Sequence, residues 1–199
     1  MSPRTPLVSP AAYFGRSDRP SLRLAAGIVT LNALFTAILT WWFVTRALAQ
    51  VDVSQTARDE ALSEVSGLYP ALFISVFIGW LLVAGVFHVF MWFAGAERGF
   101  GTTLAIVGEG MLVTLVTLPL ILFGFMLVIE QVPSEPEAAV EFIQRTSNFN
   151  TDVLLLVGFV RVLWEGSVQA VGLSEVHDVS LGKAALVTIG LGLLIFFVG

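Results

Sequence analysis

The chain has 199 residues, of which 56% are hydrophobic and 13% charged, with a mean hydropathy of +0.88 and a net charge of −5. A soluble domain carries roughly 25% charged residues, so the balance excludes an ordinary water-soluble globule and points to the lipid bilayer as the partner. The acidic excess speaks against nucleic acid, and the absence of cysteine excludes a disulfide framework, a thiolate metal site and a thiol nucleophile.

Residues 1–23 read as a polar, mostly irregular tail with Pro3, Pro6, Pro10 and Pro20 and with Arg4, Arg16, Arg19 and Arg23. No charge occurs between Arg23 and Arg46, a gap of about one bilayer thickness as helix, with Trp41 and Trp42 where an interfacial belt would lie. Ala47-Leu48-Ala49 before Gln50 resembles a signal-peptidase site. The apolar run exceeds the roughly 7–15 residues of a signal core, so a retained span is expected. A hydrophilic loop follows, and Ser54 to Val65 is compatible with a short surface helix. The next span is expected to start at Pro70 and run to about Phe93, because proline suits a first helical turn.

A glycine-rich corner, Gly95 to Gly101, leads to a third span over 102–129 that contains Glu109 and Pro119. An acidic loop from Glu130 to Asp152 precedes the fourth span, 153–173. A polar corner, Ser174 to Asp178, precedes the fifth, 184–198. The expectation is an all-α polytopic bundle of five spans: 24–45, 70–93, 102–129, 153–173 and 184–198. It forms one transmembrane domain, 24–199, behind the 1–23 tail. Five spans put the two ends on opposite faces. Arg and Lys outside the spans divide six to three in favour of the face bearing the tail. The expected placement is the cell membrane, with a cytoplasmic N-terminus and an external C-terminus.

Ionised residues inside a span cost roughly 2.5–3.5 kcal/mol each on insertion scales, so they face protein or water. Arg161 and Glu165 are four residues apart and share a helix face, which Gln169 extends. They read as a structural ion pair or as a proton or substrate relay. Glu109 lies about 10 Å along its helix from the glycine corner, and Glu165 about 12 Å from the same face, by helical rise. With His88 nearby, the expectation is a convergent cluster of His88, Glu109, Arg161 and Glu165. Snorkelling of Glu109 to the interface is the competing reading.

His88 and His177 have no metal-ligand spacing. The glycine corner lacks the Gly-Lys-Ser/Thr ending of a phosphate loop, and no nucleophile elbow is present. No catalytic, cofactor or metal site is therefore assigned.

Several residues then carry a resemblance. The stretch from Val162 to Ala185 contains Trp164, Val171-Gly172-Leu173, Glu175-Val176-His177, Ser180 and Gly182-Lys183-Ala184. It resembles the end of the Yip (Ypt/Rab-interacting-protein) domain. His88, followed by Gly95, Gly99, Phe100 and Thr102-Thr103, resembles that family's His, Gly-rich turn, Phe, Thr corner. Where the family often has Gly-Tyr after the corner, this chain has Gly108-Glu109.

The resemblance spans about residues 80–199. It implies five spans, a cytoplasmic N-terminus and no catalytic role for Glu175 or His177. In eukaryotes it implies vesicle traffic with Rab GTPases. The resulting expectation is a non-catalytic scaffold or adaptor that organises the membrane or a partner protein, as a monomer or a homo-oligomer. The alternative is a small transporter or channel component using the intramembrane Glu/Arg cluster.

Overall fold

Hydrocarbon offers the backbone no hydrogen-bond partner, so each apolar run must satisfy its own N–H and C=O groups as a helix. The computed structural model describes residues 5–16, 18–96, 99–146 and 152–198. Arg4 of the tail, Glu97 and Arg98 of the glycine corner, and residues 147–151 of the acidic loop lie outside them. Among the described residues there are eight helices and no strand: α1 (Pro10–Phe14), α2 (Leu22–Gln50), α3 (Gln55–Phe93), α4 (Phe100–Gly110), α5 (Leu112–Ile129), α6 (Pro136–Thr146), α7 (Asp152–His177) and α8 (Leu181–Val198). Five stretches are long and apolar enough to cross a membrane: α2, α3, α4 with α5, α7 and α8. The chain is an all-α, five-span membrane protein.

The helix ends differ from the sequence expectation for local reasons. Pro70 lies inside α3, not at its start. Ser54 caps the helix far earlier by accepting from Ala57 N at 3.2 Å. The 39 residues of α3 extend about 58 Å at helical rise, against roughly 30 Å of hydrocarbon. Trp41 and Tyr69 meet edge to face at 5.7 Å, the pairing expected at an interface. At 39 residues α3 is therefore longer than one bilayer crossing requires.

The third span is broken at Met111, whose ψ of −6° ends α4 before α5 resumes. Asn32 of α2, nearly fully buried, donates at 3.2 Å to the Met111 carbonyl, which also accepts from Thr114 N at 3.1 Å. The polar corner at Ser174 is also helical, because α7 continues to His177. Asp178 then turns the chain at φ 53°, and the Ser174 hydroxyl donates to Val179 O at 2.8 Å.

The acidic loop contains an amphipathic helix, α6. Its Ala139 and Phe142 pack on Ala47, Val51 and Val132 at the far end of α2. Asp52 N donates to Ser134 O at 2.8 Å, which ties the two loops together.

The main core lies at the opposite end, where α1 meets the spans. The expectation of an irregular tail is corrected there: Tyr13 and Phe14 are buried, against α7 among others. Trp164 Nε1 donates to Leu7 O at 3.3 Å. Gly172 is needed for this approach, since a Cβ at that position would sit 2.7 Å from Ile106 Cγ2 and 2.9 Å from Phe14 Cε2. Away from this end, side chains such as Ile38, Leu82, Leu120, Leu156 and Leu194 are exposed and form the lipid-facing surface.

Phe14→Ala should therefore lower the melting temperature of the purified protein in detergent, with a stability loss on the order of 3 kcal/mol. Unchanged melting by scanning fluorimetry would place α1 outside the folded unit.

Candidate functional site

Helical rotation sends neighbouring residues of α4 to different partners. A Cβ on Gly108 would meet Ala25 of α2 and Trp80 of α3, and one on Gly110 would meet Gln169 of α7. Glu109, between them, reaches the start of α2. Its Oε1 accepts from Ser21 N at 2.6 Å and lies 3.6 Å from Arg19 Nη1. The Glu109 side chain has no exposed surface. The Tyr13 phenol faces the same carboxylate, and the Arg19 guanidinium stacks 4.9 Å from the Tyr13 ring centroid. Burial pushes the Tyr13 phenol well above its ordinary pKa; the Glu109 charge pushes further and Arg19 opposes. Tyr13 is thus a proton donor at any physiological pH.

The second group lies on α7. Arg161 Nη1 donates to Glu165 Oε2 at 3.3 Å and to Thr114 Oγ1 at 3.2 Å. Thr114 in turn donates to Glu165 Oε2 at 3.3 Å, and Gln169 Nε2 donates to Glu165 Oε1 at 3.2 Å. Gln169 also approaches Val107 O at 3.4 Å, which links α7 to the α4 backbone. Arg161 and Glu165 line a cleft of about 200 Å³ between α3, α7 and α8.

The third group is a chain of two histidines and one hydroxyl. His88 Nδ1 lies 3.2 Å from Thr103 Oγ1, which lies 3.0 Å from His177 Nε2. One hydroxyl carries one proton, so Thr103 donates to one imidazole and accepts from the other. Phe100 meets His88 edge to face at 5.6 Å. Three spans are joined here at the level of the glycine corner.

The four residues expected to converge are therefore divided. Arg161 and Glu165 pair; Glu109 and His88 each make other contacts among the described residues. The reason is reach and rotation: Arg19 and the Ser21 amide arrive from the N-terminal segment on the face that Glu109 presents. His177 joins His88 through Thr103, and Gly172 and Trp164 hold the N-terminal segment. Gly95 turns at φ 95°, and Gly99 caps α4. Glu175, Gly182 and Lys183 are exposed.

Sequence reasoning missed Tyr13, Arg19, Ser21, Asn32 and Thr114. Of these, Ser21 carried a signal, since serine ahead of an apolar run marks a helix cap. The adjacent aromatics Tyr13-Phe14 in a polar segment were another.

A five-span helical bundle, with its N-terminal segment folded onto one end and its internal polar groups paired between helices, is the class of membrane protein defined by this architecture. The Yip1 domain model matches residues 5–199, and the chain belongs to the Yip1 domain family. Comparison with curated proteins and with solved structures finds no match.

Removing one member of a partly buried ion pair strands the other charge. Arg161→Met and Glu165→Leu should each cost on the order of 3 kcal/mol, and the double variant much less. A double-mutant cycle on melting temperature measures this. Additive losses would show that the two side chains do not support each other.

Proposed function

We propose that the protein is a non-catalytic scaffold or adaptor of the cell membrane, with its N-terminus cytoplasmic and its C-terminus outside. One observation supports the reading: a second, smaller packed cluster lies at the end of the bundle away from α1. α6 and the connection around Asp52 form it, held by Ala47, Val51, Val132 and Ala139, and Arg58 of the leading part of α3 joins it by donating from Nη2 to Val51 O at 3.4 Å. Asp59, Glu60 and Glu64 are exposed on α3, and Glu137 and Glu141 on α6. Order in loops that span no lipid is what a docking surface requires. The bias of Arg and Lys towards the opposite face supports the orientation.

A second reading, a transporter or channel component, is favoured by the cleft beside Arg161 and Glu165. Its narrowness argues against a substrate pathway through one copy.

The chain contains no native cysteine, so single introduced cysteines report on orientation directly. Asp59→Cys should react with an impermeant maleimide on intact cells, and Lys183→Cys only after permeabilisation; the reverse pattern contradicts the orientation. Combined Asp59→Lys, Glu60→Lys and Glu64→Lys should abolish capture of a cross-linked partner while leaving protein abundance unchanged. Partner capture unaffected by these changes, or solute flux in proteoliposomes that depends on the protein, would contradict the scaffold reading.

A further inference from the structure

α8 packs closely on α7 but makes few contacts with α3. The two small residues Gly166 and Gly192 let the α7–α8 pair close up, with Ile189 and Val162 opposite them. α3 and α8 therefore leave a lateral gap whose floor is the polar stripe of α7. The walls are apolar: Val83 and Phe87 on one side, Ile195 and Phe196 on the other. The floor is Arg161, Glu165 and Gln169. The space of about 200 Å³ matches about six or seven waters at roughly 30 Å³ each, the scale of a small polar headgroup.

The guanidinium is incompletely used. Arg161 offers five N–H donors, and among the described residues Nη1 alone makes hydrogen bonds, to Glu165 and Thr114. Nε and both protons of Nη2 remain, and a third of the side chain is exposed towards the cleft. Unspent donors inside a span are costly in hydrocarbon, and a planar fork of this kind suits a phosphate oxygen pair. Four residues along the same face, Glu165 Oε1 accepts one hydrogen bond, from Gln169, and keeps capacity for another. The floor is thus a dipole, positive at Arg161 and negative at Glu165.

We propose that this cleft is a binding site for a phospholipid with a primary ammonium headgroup, a phosphatidylethanolamine. The phosphate pairs with Arg161 and the ammonium with Glu165, while the acyl chains leave between α3 and α8. Arg161 is nine residues into α7, about 14 Å at helical rise. Arg161 lies nearer the start of α7 than Glu165 and Gln169 do, so the phosphate end of the floor is the one closer to the membrane face on which α7 begins. The lipid enters from that leaflet, with its headgroup drawn below the level of its neighbours. The site is independent of what the cluster on the loop side binds.

The test is native mass spectrometry of the purified full-length protein, exchanged into equimolar dioleoyl phosphatidylethanolamine, phosphatidylcholine and phosphatidylglycerol. The expected result is one retained lipid, with the ethanolamine form at least fivefold over the other two. The choline headgroup keeps the phosphate but has no N–H to give Glu165, and the glycerol headgroup lacks the cation. The double variant Arg161→Met with Glu165→Leu removes the dipole without stranding a charge, and should cut retention at least fivefold. Val83→Phe fills the cleft from its wall without touching the floor and should do the same.

Should either variant fold poorly, a headgroup-diazirine phosphatidylethanolamine on the unaltered protein gives the answer: labelled peptides from α7 and α8 around Arg161–Gln169 and Thr188–Phe196 are expected. No retained lipid, equal retention of all three headgroups, retention unchanged in both variants, labelling confined to other surfaces, or a dimer that seals the cleft with a second copy would each overturn the proposal.

Discussion

A carboxylate with no exposed surface, Glu109, is the constraint on which the packed end of this bundle depends. Hydrocarbon cannot solvate it, and the surrounding spans present it with backbone groups that are already paired. The chain meets the demand by bringing back its own N-terminal segment. Arg19 supplies the countercharge, the Ser21 amide a hydrogen bond, and Tyr13 a neutral donor facing the same group. The same segment delivers Phe14 onto Gly172 and the Leu7 carbonyl to Trp164. A polar requirement in the third span thereby adds to the apolar burial of Tyr13 and Phe14 in fixing the position of this segment.

The other internal polar groups follow the same rule with different partners. Thr103 serves two histidines from two other spans, and Asn32 donates to the Met111 carbonyl where the third span breaks. Thr188 donates to Gly166 O at 2.8 Å, locking α8 to α7 where the backbones are closest. These bonds run across helices, so they specify which helix lies beside which. Apolar packing alone discriminates weakly between arrangements in lipid, where the tails are as apolar as leucine. The family relationship and the fold are therefore expressed in a few polar positions set in an otherwise permissive apolar background. Arg161 differs in having donors left over beside a cleft, where the helices part.

The spans were legible because about twenty uncharged residues in a row have one physical outcome in a bilayer. The Arg161 and Glu165 pair was legible because a spacing of four is local geometry. What was hidden depended on distance or on capping. The bond from Ser21 to Glu109 crosses 88 residues of sequence, and nothing in either segment announces the other. The helix after Ser54 was legible, but its unbroken continuation through Pro70 into the second span was not. The break at Met111 left no mark in a sequence that is hydrophobic on both sides of it. The expected fourfold cluster is divided by rotation: α4 turns Glu109 towards the start of α2, while its neighbour Gly110 faces α7.

The central claim is that Glu109 holds the N-terminal segment in place, and the Ser21 amide reports on it without interference. As the residue before the first turn of α2, Ser21 has no intrahelical acceptor for its N–H. Its protection from exchange must come from the carboxylate. Hydrogen–deuterium exchange on the intact protein in nanodiscs should find this amide protected, with protection lost in Glu109→Ala while amides in the middle of α2 stay unchanged. Free exchange at Ser21 in the unaltered protein, or protection that survives Glu109→Ala, would contradict the account.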